Sequence, residues 1–170
     1  MAYILSEQRA AGHDDVVACF ESYRDYLERM RSKFPPRAYE LATSTWYYDP
    51  RDHRCPHDGW LEEVIVSETG SGERAEVRAV SMRVRLLGAY HDGHIELSYP
   101  RVFAYQLGAH PQRGHQGWRY DEFRLTEDGH VLHEVEWWGP AEAGRWLIEA
   151  SDVHFEWVDD GAARRSPGAA

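Results

Sequence analysis

The sequence predicts an α+β domain in which an N-terminal amphipathic helix packs on a strongly curved antiparallel sheet of six to eight strands, curved enough to form a partly open barrel. Three observations carry this. Apolar residues recur at steps of three and four from Val16 to Phe34, whereas from Trp60 to Trp157 they alternate with polar ones in short runs. Within that alternation, His91-Asp92-Gly93 and Glu127-Asp128-Gly129 are tight hairpin signals.

The helix is read over Asp14 to Lys33, with Val16, Val17, Phe20, Tyr23, Leu27 and Met30 on one stripe, Asp14 or Asp15 as its N-cap and Pro35-Pro36 as its stop. Its other face carries Glu21, Arg24, Asp25, Glu28, Arg29 and Lys33, which pair mostly with opposite signs at helical spacing, as a solvated surface does. Arg37 to Thr45 fits a short second helix. Trp46-Tyr47-Tyr48 then leads into Asp49 to Asp58, a stretch with two prolines and no period that reads as an ordered loop. Strands are expected at 60–67 and 75–90, separated by a turn at Thr69-Gly70-Ser71-Gly72, the second bent at Gly88. Ile95, Leu97 and Tyr99 alternate beyond Gly93, Pro100 marks an edge or bulge, and Val102 to Leu107 continues the run. After a polar loop at 108–117, further strands are expected at 118–125, 130–138, 145–150 and 153–158. Residues 1–158 thus read as a single domain, and 159–170, rich in Gly, Ala, Arg and Pro, as a frayed tail.

A chain of 170 residues can bury one core without metal or disulfide staples. Its 29 acidic against 19 basic residues leave a formal charge of -10, which repels nucleic-acid phosphates and anionic membranes and attracts basic partners. No basic segment followed by an apolar run opens the sequence and no stretch reaches membrane-spanning length, so a cytoplasmic location is expected. Cys19, in a helical pattern, and Cys55, in a polar loop, read as reduced thiols rather than a disulfide framework.

Alternation assigns the faces of the sheet. Val131, His133, Val135 and Trp137 share one side with Trp146, Ile148, Ala150, Val153, Phe155 and Trp157. The other side carries Glu134, Glu136, Glu149 and Glu156, with Glu122 on a neighbouring strand, and Trp138 falls among them. Stacked like charges cost stability, so these residues are the candidate surface for a basic protein partner: carboxylates for rate and selectivity, Trp138 as anchor.

Two competing readings rest on other residues. His53-x-Cys55-x-His57 offers Zn or Fe ligand types, although the spacing matches no structural zinc signature and Pro56 stiffens it; the plain alternative is a loop in which Asp52 and Asp58 cap backbone donors. Paired glutamates on a curved sheet would suit a hydrolase if they faced a cleft, and Trp118, Trp137, Trp138, Trp146 and Trp157 would suit an apolar small-molecule cavity in a half-open barrel. No nucleophile elbow, phosphate loop, dinucleotide fingerprint or His-Glu-x-x-His helix accompanies them, and the balance leans away from an enzyme.

The run Asp52-His53-Arg54-Cys55-Pro56-His57-Asp58-Gly59-Trp60-Leu61-Glu62, with Leu86 to Gly93, Tyr120 to Leu125 and Leu132 to Glu136, resembles a group of small uncharacterised bacterial proteins over residues 46 to 158. In size, acidity and helix-then-sheet layout the chain is also similar to immunity proteins of polymorphic toxins. That likeness implies a bound partner and neither a reaction nor a cofactor.

Overall fold

The computed structural model describes residues 2–6, 13–139 and 144–160. Two helices, α1 (His13–Met30) and α2 (Pro36–Thr43), precede seven strands: β1 (Trp60–Ser71), β2 (Val77–Leu87), β3 (Gly93–Leu107), β4 (Trp118–Leu125), β5 (Val131–Trp137), β6 (Arg145–Ala150) and β7 (His154–Asp159). Every pairing is antiparallel. The strand order is β1-β2-β3-β6-β5-β4, with β7 also on β3, and the sheet does not close into a barrel.

Helix α1 starts with Asp14 and Asp15 against its positive end and finishes with Arg29 against its negative one. It stops because the chain tightens into a 3-10 turn at Arg31–Lys33 and Phe34, before Pro35, is extended. Pro36 then begins α2 at the position where a missing N–H costs nothing. Both helices bury one side on the sheet: Tyr23 and Leu27 from α1, and Ala38, Leu41 and Ala42 from α2, join Val84, Leu97, Tyr99, Phe123 and Trp146 in one core.

The 15-residue strand β3 organises the sheet. Its register shifts against β2 between Tyr99 and Val102, across Pro100, which cannot donate to a ladder, and against β6 just beyond, between Val102 and Ala104. One of its edges holds β2. The other holds β7 along 93–98 and β6 along 102–107, the two joined through Ser151, whose N–H donates to Arg101 O at 2.9 Å. Trp157 lies so close to Gly93 that a Cβ there would sit 2.4 Å from the indole, so only glycine lets the hairpin tip pack.

Helix α1 ends at Met30 rather than Lys33, β2 spans Val77–Leu87 rather than 75–90 and stops before Gly88, and two further boundaries differ from the sequence reading. The β1–β2 ladder runs out to Ser71 opposite Val77, because cross-strand pairing carries Thr69 and Gly70 into the strand; the reversal falls instead at 72–76, where Gly72 and Ala75 take positive φ. Asp159 pairs with Gly93 as the last residue of β7 and so belongs to the sheet, not to a tail. Asp160 N donates to Asp92 O at 3.1 Å, and the remainder of the expected tail, 161–170, lies outside the described residues.

Strand β4 would be an open edge, and α1 closes it. The Tyr23 hydroxyl donates to Phe123 O at 3.0 Å and accepts from Phe123 N at 2.7 Å, and the Tyr26 hydroxyl accepts from Leu125 N at 2.8 Å. No helix among the described residues is long and apolar enough to cross a membrane.

Candidate functional site

The glutamates read as an exposed acidic face are mostly covered. Glu122, Glu134 and Glu136 are 0%, 7% and 8% exposed. Glu122 stands opposite Glu134 across β4 and β5, and Glu136 stands opposite Arg145 across β5 and β6. Stacked carboxylates would repel, so arginines fill the gaps. Arg124 and Arg145 both donate to Glu134, Arg119 donates to Glu136 at 3.1 Å, and Arg124 Nε lies 2.8 Å from Glu122 Oε1. The N-terminal segment completes the cover: Tyr3 N and Leu5 N donate to Glu122 Oε2 at 2.9 and 3.2 Å, while Arg145 donates to Leu5 O. Burial holds the Glu122 carboxyl above its ordinary range against the pull of those amides and of Arg124. The expectation that these acids face solvent is therefore corrected. Alternation put them opposite the core but could not see that arginines and residues 2–6 close over them.

Of the other residues expected on that face, Trp138 is 42% exposed, with Arg119 stacked over its ring at 4.4 Å and its indole N–H donating to Asp58 at 2.9 Å. Glu149 is half-buried and takes a hydrogen bond from His130, and Glu156 is exposed.

On the inner face lies a polar network that the sequence reading missed. Asp121 accepts from the Trp118 indole at 3.0 Å, from the Tyr47 hydroxyl at 2.9 Å and from His133 Nε2 at 3.0 Å. The Tyr99 hydroxyl meets His133 Nδ1 at 2.7 Å. All five side chains are buried. A neutral imidazole with its proton on Nε2 satisfies every one of these contacts. The adjoining cavity, lined by Tyr48, Cys55 and His57 among others, measures about 70 Å³, room for water but not for a substrate. The network is thus a core device. Asp121 shares the phase of Phe123, and that was the available signal.

The residues of the His/Cys loop do not converge. His53 Nδ1 pairs with Asp92 while its ring stacks on Tyr90 at 4.1 Å; the Cys55 thiol donates to Tyr47 O at 3.0 Å; His57 Nδ1 contacts Arg119 O at 2.5 Å. Among the described residues the ligand atoms of His53, Cys55 and His57 form no metal-sized group. Asp52 does cap the loop, accepting from Arg54 N, and the Arg54 guanidinium holds its carboxyl down at about 2. Asp58 instead takes the Trp138 indole.

Burial pushes the Cys55 thiol up to about 12, so almost no thiolate exists at neutral pH. Native protein treated with iodoacetamide at mildly alkaline pH is expected to leave Cys55 unmodified, and denatured protein to alkylate it fully. Peptide mapping by mass spectrometry reads the result, and rapid labelling of native Cys55 would contradict the buried placement.

Of the aromatic residues offered for a barrel cavity, Trp138 is exposed, Trp157 is half-buried against Gly93, and the other three fill the core. Trp118, Trp137 and Trp146 are buried and pack edge to face at 5.3 and 4.9 Å.

A cleft of about 670 Å³ opens where α2 meets β7 and β3. Leu41, Trp46 and Phe155 form its apolar side, with Trp46 and Phe155 ring centroids 4.7 Å apart. Glu40, Glu96 and Glu156 stand around it, Glu96 and Glu156 directly opposite in the β3–β7 ladder. Arg85 offsets one of these charges by donating to Glu96 at 3.0 Å, and Arg37 lies against His154. Among the described residues β7 pairs only with β3, so its other edge borders this cleft without a strand partner.

Comparison with models of known protein families, with curated proteins and with solved structures finds no match to this chain.

Proposed function

We propose that this chain is a non-enzymatic acidic binding protein that occludes a basic protein partner, most concretely an immunity protein neutralising a nuclease-type toxin. The observation that carries the reading is the α2/β7 cleft, where Glu40, Glu96 and Glu156 stand beside the half-buried rings of Trp46 and Phe155 in a chain of charge -10. An apolar centre with a charged rim is how interfaces divide their work: burial gives affinity, and charge gives encounter rate and selectivity. The arginine-covered Glu122/Glu134/Glu136 face leaves the cleft, with Glu156, as the better seat for a basic surface.

The test is affinity capture on the immobilised full chain from the cytoplasm of its own source, beside a Glu40→Lys/Glu96→Lys/Glu156→Lys variant. A stoichiometric basic protein is expected, with affinity lowered at least tenfold in the variant and a steep salt dependence in the parent. Capture of no basic protein, or of one indifferent to charge reversal, would sink the reading.

A further inference from the structure

We propose that Asp128, His130 and Glu149 form a binding site for a divalent transition-metal ion of the zinc type. One ligand atom from each of the three lies within 4.8 Å of the others. The donors are one imidazole nitrogen and two carboxylate oxygens, a set that suits zinc and its first-row neighbours better than the all-oxygen sites of calcium or magnesium. Metal–ligand bonds of about 2.0–2.2 Å place tetrahedral donors about 3.3–3.6 Å apart, so side-chain movement of about an ångström closes the cage.

The scaffold fixes where the three donors stand, although not the final direction of their ligand atoms. Asp128 sits in the β4–β5 turn, closed by Thr126 N to His130 O at 2.9 Å and Gly129 N to Thr126 O at 3.1 Å, with Gly129 at positive φ. His130 is fixed twice: its N–H donates to the Thr126 hydroxyl at 3.1 Å, and its ring lies flat on Phe103 with centroids 3.7 Å apart and planes within 7°. Glu149 is on β6, laddered to Ala104 on one side and Leu132 on the other. Two elements, the β4–β5 turn and β6, thus converge, unlike a run of acids along one strand.

Charge separates this group from the other acids of the same sheet face. Glu122, Glu134 and Glu136 each have an arginine against them. Among the described residues neither Asp128 nor Glu149 forms an ion pair with an arginine or lysine; Glu149 meets only His130 Nδ1, at 2.6 Å. A bound dication supplies the missing positive charge, and His130 Nδ1 and Glu149 Oε1 then turn from each other toward the metal. With three protein ligands on a partly exposed surface, water completes the coordination.

The site is independent of the cleft, and its test does not need a partner. Metal-stripped full-length protein is titrated calorimetrically with ZnCl2 in a non-chelating buffer, with MnCl2 as comparison. Saturable one-to-one binding in the micromolar range or tighter is expected for zinc. Asp128→Asn, at an exposed turn position where the fold should be indifferent, and His130→Ala are each expected to weaken it at least tenfold, whereas His57→Ala leaves it unchanged. Melting of the metal-free variants checks folding, and Asp128→Asn decides alone should His130→Ala fail to fold. Absence of saturable heat at millimolar metal, or stoichiometric binding that survives Asp128→Asn and His130→Ala, would overturn the proposal and leave His130 and Glu149 as an ordinary ion pair.

Discussion

Replacing Asp121 by alanine is expected to lower the stability of the fold by about 3–5 kcal/mol, the loss typical of removing one member of a buried charged network. The carboxylate is 2% exposed and gathers the donors of Trp118, Tyr47 and His133. Alanine leaves an indole N–H, a hydroxyl and an imidazole N–H without acceptors, in a core where each orphan costs about 1–3 kcal/mol. It also opens space beside the existing 70 Å³ cavity, so water can enter and recover part of the loss. Tyr47→Phe is the control, since it removes one donor and leaves Asp121 its other two; about 1 kcal/mol is expected. Urea unfolding followed by tryptophan fluorescence measures both. A loss below 1 kcal/mol for Asp121→Ala would mean that the network does not hold the core together.

Glu122→Ala is expected to cost about 2–3 kcal/mol and to free the N-terminal segment from the sheet. The carboxylate is the common acceptor for Tyr3 N and Leu5 N, and these two bonds hold Ile4 and Leu5 in their buried places. Amide exchange at Tyr3 and Leu5 should therefore accelerate in the variant beyond any change at Phe123. The pH dependence has a definite sign. Burial raises the Glu122 carboxyl in the folded state above the ordinary glutamate range, so the folded state binds that proton more tightly than the unfolded chain does. Its contribution is present in full below the unfolded value and is lost as pH rises through the folded one. Glu122→Gln, neutral throughout, should flatten the part of the stability profile that lies above the ordinary glutamate range. A parent and Gln variant with parallel profiles would refute the assignment.

How far the chain could be read in advance depends on the range of the interaction concerned. The helix, the hairpin turns and the phase of each strand are local, set by the steps between apolar residues and by glycine and aspartate at reversals. Accordingly Val131, Val135 and Trp137 are buried beside Trp146, Ile148 and Ala150 as alternation requires. The bulge at Pro100 was legible for the same reason, since a missing N–H acts on its own residue.

The candidate sites are different in kind. Glu134 lies on the side of β5 away from the core, as its phase demands, yet its burial depends on Arg124 ten residues before it and Arg145 eleven after, whose positions follow from strand order. His53, Cys55 and His57 are neighbours in sequence and diverge in space because Asp92, Tyr47 and Arg119 each claim one of them. Asp128, His130 and Glu149 are brought together by the β5–β6 ladder, and the α2/β7 cleft exists only because β7 leaves β6 to follow β3. The sequence by itself determined the elements, their faces and the acidic balance, all functions of nearest neighbours and sums. Which charges are neutralised, which donors converge and where a cleft opens were decided by tertiary structure, because each depends on pairs far apart in the chain whose proximity is a property of the folded sheet.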